Sequence, residues 1–225
     1  MISRLPTWGW MGAAGLAMVA GMVNAVGYLG FEQQAVAHLT GTTSLLGVAV
    51  AKGQGGVASE LLLPIASFVG GAMLAGAIVQ DRTLRLGRCY GVALLVEAGL
   101  LIGAVPLFED EHAAGACLAA MACGLQNAVT ATFSGALVRT SHLTGMFTDL
   151  GVFLGHRLRG LDVDWRRLWL CLLVIGSFVL GGVVGSALFP HWGYHALYLP
   201  AALTGTTGLA YLAYTCWCEA TAETT

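Results

Sequence analysis

Apolar residues run along this chain in stretches of about twenty, separated by short charged segments. A helix rises 1.5 Å per residue, so roughly twenty apolar residues match a hydrocarbon core of about 30 Å. Six stretches reach that length: roughly 9–30, 61–80, 89–107, 113–137, 168–189 and 196–217. Two shorter apolar pieces, 39–51 and 143–155, extend only about 20 Å as helix and fall short of a crossing. The pattern predicts an all-α integral membrane protein of six transmembrane helices plus two half-helices.

Both short pieces begin alike. His38-Leu39-Thr40-Gly41 returns as His142-Leu143-Thr144-Gly145, and six of the ten positions from His38 to Gly47 are identical to those from His142 to Gly151. Upstream, Gly21-Met22-Val23-Asn24-Ala25-Val26 pairs with Gly124-Leu125-Gln126-Asn127-Ala128-Val129, and downstream Ser67-Phe68-Val69 echoes Ser177-Phe178-Val179. The chain therefore reads as one membrane domain, 1–225, made of two copies of one unit, about 9–107 and 113–217. Repeats of this kind in a membrane protein point to a transporter or channel with its site where the copies meet. Arg4 followed by an apolar run resembles a signal peptide, but Gly21 to Val26 has its counterpart deep in the chain and so belongs to the repeat.

Charge placement supplies a topology. Arg82, Arg85 and Arg88 follow the second long stretch, Glu109, Asp110 and Glu111 the third, and Arg139 the fourth; Arg157, Arg159, Arg166 and Arg167 follow the second short piece. Arginine-rich loops face the cytoplasm. The second short piece then starts and ends on the inner face, so it is re-entrant. Worked backwards, Lys52 lies outside and the first short piece dips in from there. Both termini are cytoplasmic. Each half holds three spans, an odd number, so the halves are inverted relative to each other. The alternative of eight spans places four arginines outside.

Composition agrees with a bilayer and narrows the partners. Of 225 residues 57% are hydrophobic and only 10% charged, against about 25% charged in soluble domains. A net charge of −2 gives no basis for nucleic-acid binding. The expected partners are the lipid bilayer and a small-molecule solute, with a homodimer compatible with so Gly-rich a bundle. Gly181-x-x-x-Gly185 and Gly87-x-x-x-Gly91 read as close helix packing. The six cysteines suggest neither a disulfide framework nor a zinc site, Cys216-x-Cys218 reads as small apolar filler, and no cofactor or metal is expected.

Candidate chemistry sits at the repeated blocks. Thr40 and Thr144 are good helix N-caps, and Gly41 and Gly145 allow tight backbone. Half-helices starting there present free N–H groups and a positive dipole end. Two such ends meeting near the midplane would favour an anion or a small neutral polar solute. Asn24 and Asn127, at matched positions, and Gln126 are candidates to line the pathway or tie down the turns; His38 and His142 are candidates for the same two roles. Glu97 and Asp149 are unduplicated acids within apolar surroundings, which suggests a coupling-ion or proton site. Arg139 marks the inner mouth or pairs with Asp149. A proton-coupled cation or metal transporter using Glu97, Asp149 and the histidines is the alternative. An intramembrane enzyme built from Ser134, Ser141, His142 and Asp149 lacks any nucleophile motif, and a membrane partner or sensor lacks loops of useful size.

At Asn24-Ala25, His38-Leu39-Thr40-Gly41, Gly124-Leu125-Gln126-Asn127-Ala128, Arg139-Thr140-Ser141-His142-Leu143-Thr144-Gly145 and Thr148-Asp149-Leu150-Gly151 the chain resembles the YoaK-type family of bacterial membrane proteins. The resemblance covers nearly the whole chain. It implies a multi-pass protein of the inner membrane and brings no established substrate.

Overall fold

A computed structural model describes residues 7–30, 38–79, 88–134, 140 and 142–222. Arg4, Arg82, Arg85, Gly87, Arg139, Ser141 and the side chain of Ser134 lie outside the described residues. The described elements are helices: α1 (Thr7–Gly30), α2 (Leu39–Ala51), α3 (Gly55–Ile78), α4 (Arg88–Glu109), α5 (Ala114–Ser134), α6 (Leu143–Leu158), α7 (Trp165–Trp192) and α8 (Tyr198–Ala222). A 3-10 turn, Gly193–Leu197, joins α7 to α8. The chain is an all-α, multi-pass membrane protein: α1, α3, α4, α5 and the stretch from Trp165 to Glu219 are each long and apolar enough to cross a bilayer.

Helix ends extend past the apolar runs where polar groups can close them. α7 starts at Trp165 rather than near 168 because the Asp164 carboxylate accepts from the Arg166 and Arg167 N–H groups at 3.1 and 3.2 Å. α2 and α6 end alike as well as beginning alike. Lys52 and Arg159 close them with nearly the same backbone angles, and the next residue, Gly53 or Gly160, has a positive φ that favours glycine. Each half-helix then folds back on the long helix after it, α2 on α3 and α6 on α7.

Two close crossings join the long helices, and they are built from corresponding residues. α1 runs parallel to α7, with Ala13 and Ala17 early in one packed with Leu170, Cys171 and Val174 early in the other. Gly21 sits against the Phe178 carbonyl, and Gly181 against the Met18 carbonyl, too close for any Cβ. α3 runs parallel to α5, with Ala75 packed with Leu125 and Val129. There Gly124 sits against the Phe68 carbonyl and Gly71 against that of Met121. Small residues at such points let backbones approach, which is the source of helix attraction where lipid is as apolar as the side chains. Gly185 adds a contact to Met22, so the Gly181-x-x-x-Gly185 spacing serves packing as expected.

α4 runs antiparallel to α8, with Gly91 on Gly208 and Leu212 and Gly205 on Ala98. It also runs antiparallel to α5, with Phe108 against Gly115 and Gly103 near Leu118. The main core lies where α1, α4 and α5 converge, around Met22, Val26, Leu101, Val105, Phe108, Ala119 and Ala120. One end of the bundle carries Arg88, Arg157, Arg159, Arg166 and Arg167; the other carries Lys52, Glu60, Glu109, Asp110 and Glu111.

Candidate functional site

The repeated His–Leu–Thr–Gly blocks open α2 and α6. Their helices begin one residue before the threonines, at Leu39 and Leu143. His38 and His142 are the N-cap residues, with φ and ψ of −88° and 58° in one and −90° and 54° in the other, and neither caps through its side chain. Thr40 and Thr144 stand in the first turn, and their carbonyls accept from the Ser44 and Thr148 hydroxyls at 2.9 Å. The expected threonine caps are therefore corrected: those hydroxyls are already inside the helix.

The glycines have a different duty from the one expected. Neither Gly41 nor Gly145 has a positive φ. A Cβ on Gly41 would stand 2.5 Å from His38 Cδ2, and one on Gly145 2.6 Å from His142 Cδ2. Each imidazole folds over the residue three places on, so glycine there leaves room for the ring. We expect Gly145→Ala to push the His142 ring off the helix end while costing roughly 1 kcal/mol or less, because the ring is an exposed, movable neighbour. The His142 ring shifts in the NMR spectrum report this; unchanged shifts would count against the stacked ring.

Among the described residues each tip is carried by a different hairpin: α2 packs on α3, and α6 packs on α7, with Met146 in the core that α7 shares with α1. His38, Thr40, His142 and Thr144 are exposed, and among the described residues α2 and α6 do not touch each other.

The amides do tie down a turn. Thr140, buried just before the second half-helix, donates to Asn127 Oδ1 at 3.0 Å, with Gln126 Oε1 beside it at 3.4 Å. Gln126 Nε2 donates to the Leu16 carbonyl at 2.9 Å, joining α5 to α1. Asn24 Nδ2 donates to the Ala20 carbonyl of its own helix at 2.9 Å. Asp149 pairs with Arg167 at 2.9 Å on the α6–α7 hairpin, whereas Glu97 lies on α4; Arg139 lies outside the described residues.

A cavity of about 900 Å³ lies elsewhere, between α1 and α8. Its walls come from the first half of α1, from Trp8 to Val19, and from α8, with Tyr90 of α4 and Thr130 of α5. Trp8, Tyr90, Thr130 and Tyr214 sit toward the arginine-bearing end, and Val19, Leu203 and Thr204 carry the wall to mid-bundle. The wall is apolar but carries six hydroxyls: Tyr90, Thr130, Thr204, Thr207, Tyr211 and Tyr214. No charged side chain is among the described residues lining it. Tyr90 and Tyr211 meet edge to face across it, with ring centroids 5.6 Å apart. Gln126 and Glu97 lie behind its floor: Thr130 donates to the Gln126 carbonyl, and Glu97 is two helical turns along α4 from Tyr90.

The opposite end is shut. Tyr194 stacks on Phe108 with centroids 4.7 Å apart, and its hydroxyl donates to the carbonyl of Gly30 at the end of α1. His195 and Glu109 stand 3.0 Å apart beside it. The packing is correspondingly unequal. α4 and α5 touch along their length, whereas α8 and α1, their counterparts in the repeat, meet only weakly and leave the cavity between them.

Sequence reasoning found Glu97 and Gln126 but missed the hydroxyls. The signal was present: Thr204, Thr207, Tyr211 and Tyr214 recur at three- and four-residue steps, one stripe of α8. It was not duplicated, so the search for repeats passed over it. Among the described residues no three His, Cys, Asp or Glu side chains gather as metal ligands.

A family model described as "Protein of unknown function (DUF1275)" matches residues 12–210. No curated protein and no solved structure matches the chain.

Proposed function

The chain belongs to the DUF1275 family, which carries no assigned activity, and we propose that it is a transporter of the bacterial inner membrane for a neutral organic solute. The observation that carries this is the unequal packing of two equivalent interfaces, α4–α5 closed and α1–α8 open onto a large cavity. Two copies of a unit that differ in this way are what alternating access between inverted repeats requires.

Inversion is supported by the helix directions. α1 and α5 are counterparts, yet the start of α1 and the end of α5 line the same cavity, while Tyr194 and Phe108 bring the end of α1 to the start of α5. On this reading α1, α3, α4, α5, α7 and α8 span, and α2 and α6 are re-entrant from opposite faces. The arginine-bearing end faces the cytoplasm, as do both termini, and the cavity opens inward.

The lining sets the solute class. An apolar wall with scattered hydroxyls suits a molecule with an apolar body and a few hydroxyl or carbonyl groups, in the size range of ordinary ligand pockets. An anion finds no cation among the described residues of the wall, and the half-helix ends are not among them.

Proteoliposomes holding the full chain, incubated in a bacterial metabolite extract, are expected to accumulate a small set of neutral amphiphilic compounds, identified by mass spectrometry against empty liposomes. A set made up of inorganic anions or divalent metals, or no difference from empty liposomes, would sink the proposal.

A further inference from the structure

Glu97 is buried, with only 1% of its surface exposed, and its Oε2 has no hydrogen-bond partner among the described residues. Buried carboxylates in packed protein are held by cations or by several donors, because a bare charge at membrane depth is costly. Among the described residues no cation pairs with this carboxyl, and no donor reaches Oε2. The helices packed on α4 bring few ionisable groups to this point. α5 contributes Cys123, and α4 itself contributes Tyr90. The charged residues of the remaining neighbours sit at helix ends: Glu219 of α8 pairs with Arg88, His195 pairs with Glu109, and Glu60 stands at the start of α3. No lysine or arginine of the described residues reaches the carboxyl.

Position adds to chemistry. Tyr90 lines the cavity two turns away on the same helix, Thr204 lines it where Gly205 packs on Ala98, and Thr130 and Leu16 bracket Gln126 behind the same floor. Ala98, the residue after Glu97, packs on Gly205 beside the cavity-lining Thr204, so the α4–α8 seam separates the carboxyl from the cavity.

From these observations we propose that Glu97 is the proton-binding site that couples solute movement to a proton gradient, an inference that rests on the transporter reading. In the closed packing Oε2 holds a proton. When the cavity reaches it, the O–H bond breaks, water takes the proton as hydronium, and the carboxylate remains until a hydronium returns the proton and leaves water. The charged form opposes closure of the empty carrier, which therefore returns only when protonated, whereas a solute hydroxyl that donates to the carboxylate lets the loaded carrier close unprotonated, so solute and proton cross in opposite directions.

The test uses the full chain in lipid, with Thr207→Cys as a cavity reporter and the native cysteines replaced by alanine. A membrane-impermeant maleimide is applied to right-side-out and inside-out vesicles between about pH 5 and pH 9, all above the ordinary glutamate value of about 4.3. The ratio of the two labelling rates cancels the pH dependence of the thiol itself. That ratio is expected to change with pH, and Glu97→Gln, an uncharged isostere of the protonated acid, is expected to abolish the change. Infrared difference spectra should show a titrating carboxylic-acid band that Glu97→Gln removes. Glu97→Asp, which keeps an acid, should retain a displaced band and guards against a variant that does not fold.

A ratio that follows pH identically in Glu97→Gln overturns the proton site and leaves transport standing. A band that persists unaltered in both variants does the same. A reporter unreactive from both faces at every pH removes the transporter reading, and the coupling with it.

Discussion

Gly124→Ala is expected to destabilise the protein by about 3 kcal/mol or more, a large share of a stability on the order of 5–15 kcal/mol. The new methyl group would be forced onto the Phe68 carbonyl, and backbone cannot rotate aside as a side chain can. The whole of α5 would have to move off α3. Gly21→Ala meets the Phe178 carbonyl in the same way and should cost a similar amount. Gly99→Ala is the control, since nothing lies within 4 Å of a Cβ there, and it should stay within about 0.5 kcal/mol of the parent. Thermal unfolding of the purified chain in detergent, followed by size exclusion, separates the three. A Gly124→Ala protein that melts with the parent would show the crossing to be looser than described.

Gly15→Trp should do the reverse, keeping the fold and removing the activity. Gly15 faces the cavity with nothing within 4 Å of a Cβ, so an indole placed there enters open space rather than packed backbone. It would stand among Tyr211, Thr207 and Thr130, where the proposed solute rests. Unfolding temperature should change little, while accumulation of the compounds taken up by the parent should fall by roughly tenfold or more, the equivalent of about 1.4 kcal/mol or greater. Gly99→Trp, on open surface away from the cavity wall, should leave uptake intact. Uptake by Gly15→Trp at the parental rate would place the solute path outside this cavity.

Much of the fold was legible because a bilayer imposes a length. Apolar runs near twenty residues became long helices, and the two short runs became the two short helices, with boundaries off by a few residues where caps such as Asp164 lie beyond the apolar stretch. The repeat was legible at Gly21 and Gly124 because a backbone contact admits only glycine. The reading of the His–Leu–Thr–Gly blocks went astray for a related reason. Recurrence shows that a position is constrained, not what constrains it. At Gly41 and Gly145 the constraint is the room taken by a neighbouring imidazole. The cavity hydroxyls were hidden from that approach, since Thr204, Thr207 and Tyr211 belong to the half that differs from its twin. Asp149 looked like a buried acid by sequence, yet its partner Arg167 comes from across a turn whose geometry no spacing rule supplied.

The inequality between the α4–α5 and α1–α8 contacts has one more use. If the halves exchange roles during a cycle, the chain contains a template for a conformation it is not now in. Superposing each half on the other draws α8 onto α1 as α5 now lies on α4, closing the present cavity and opening one beneath Phe108 and Tyr194. That second shape supplies coordinates for placing crosslinks and for fitting inhibitors to the outward-facing form.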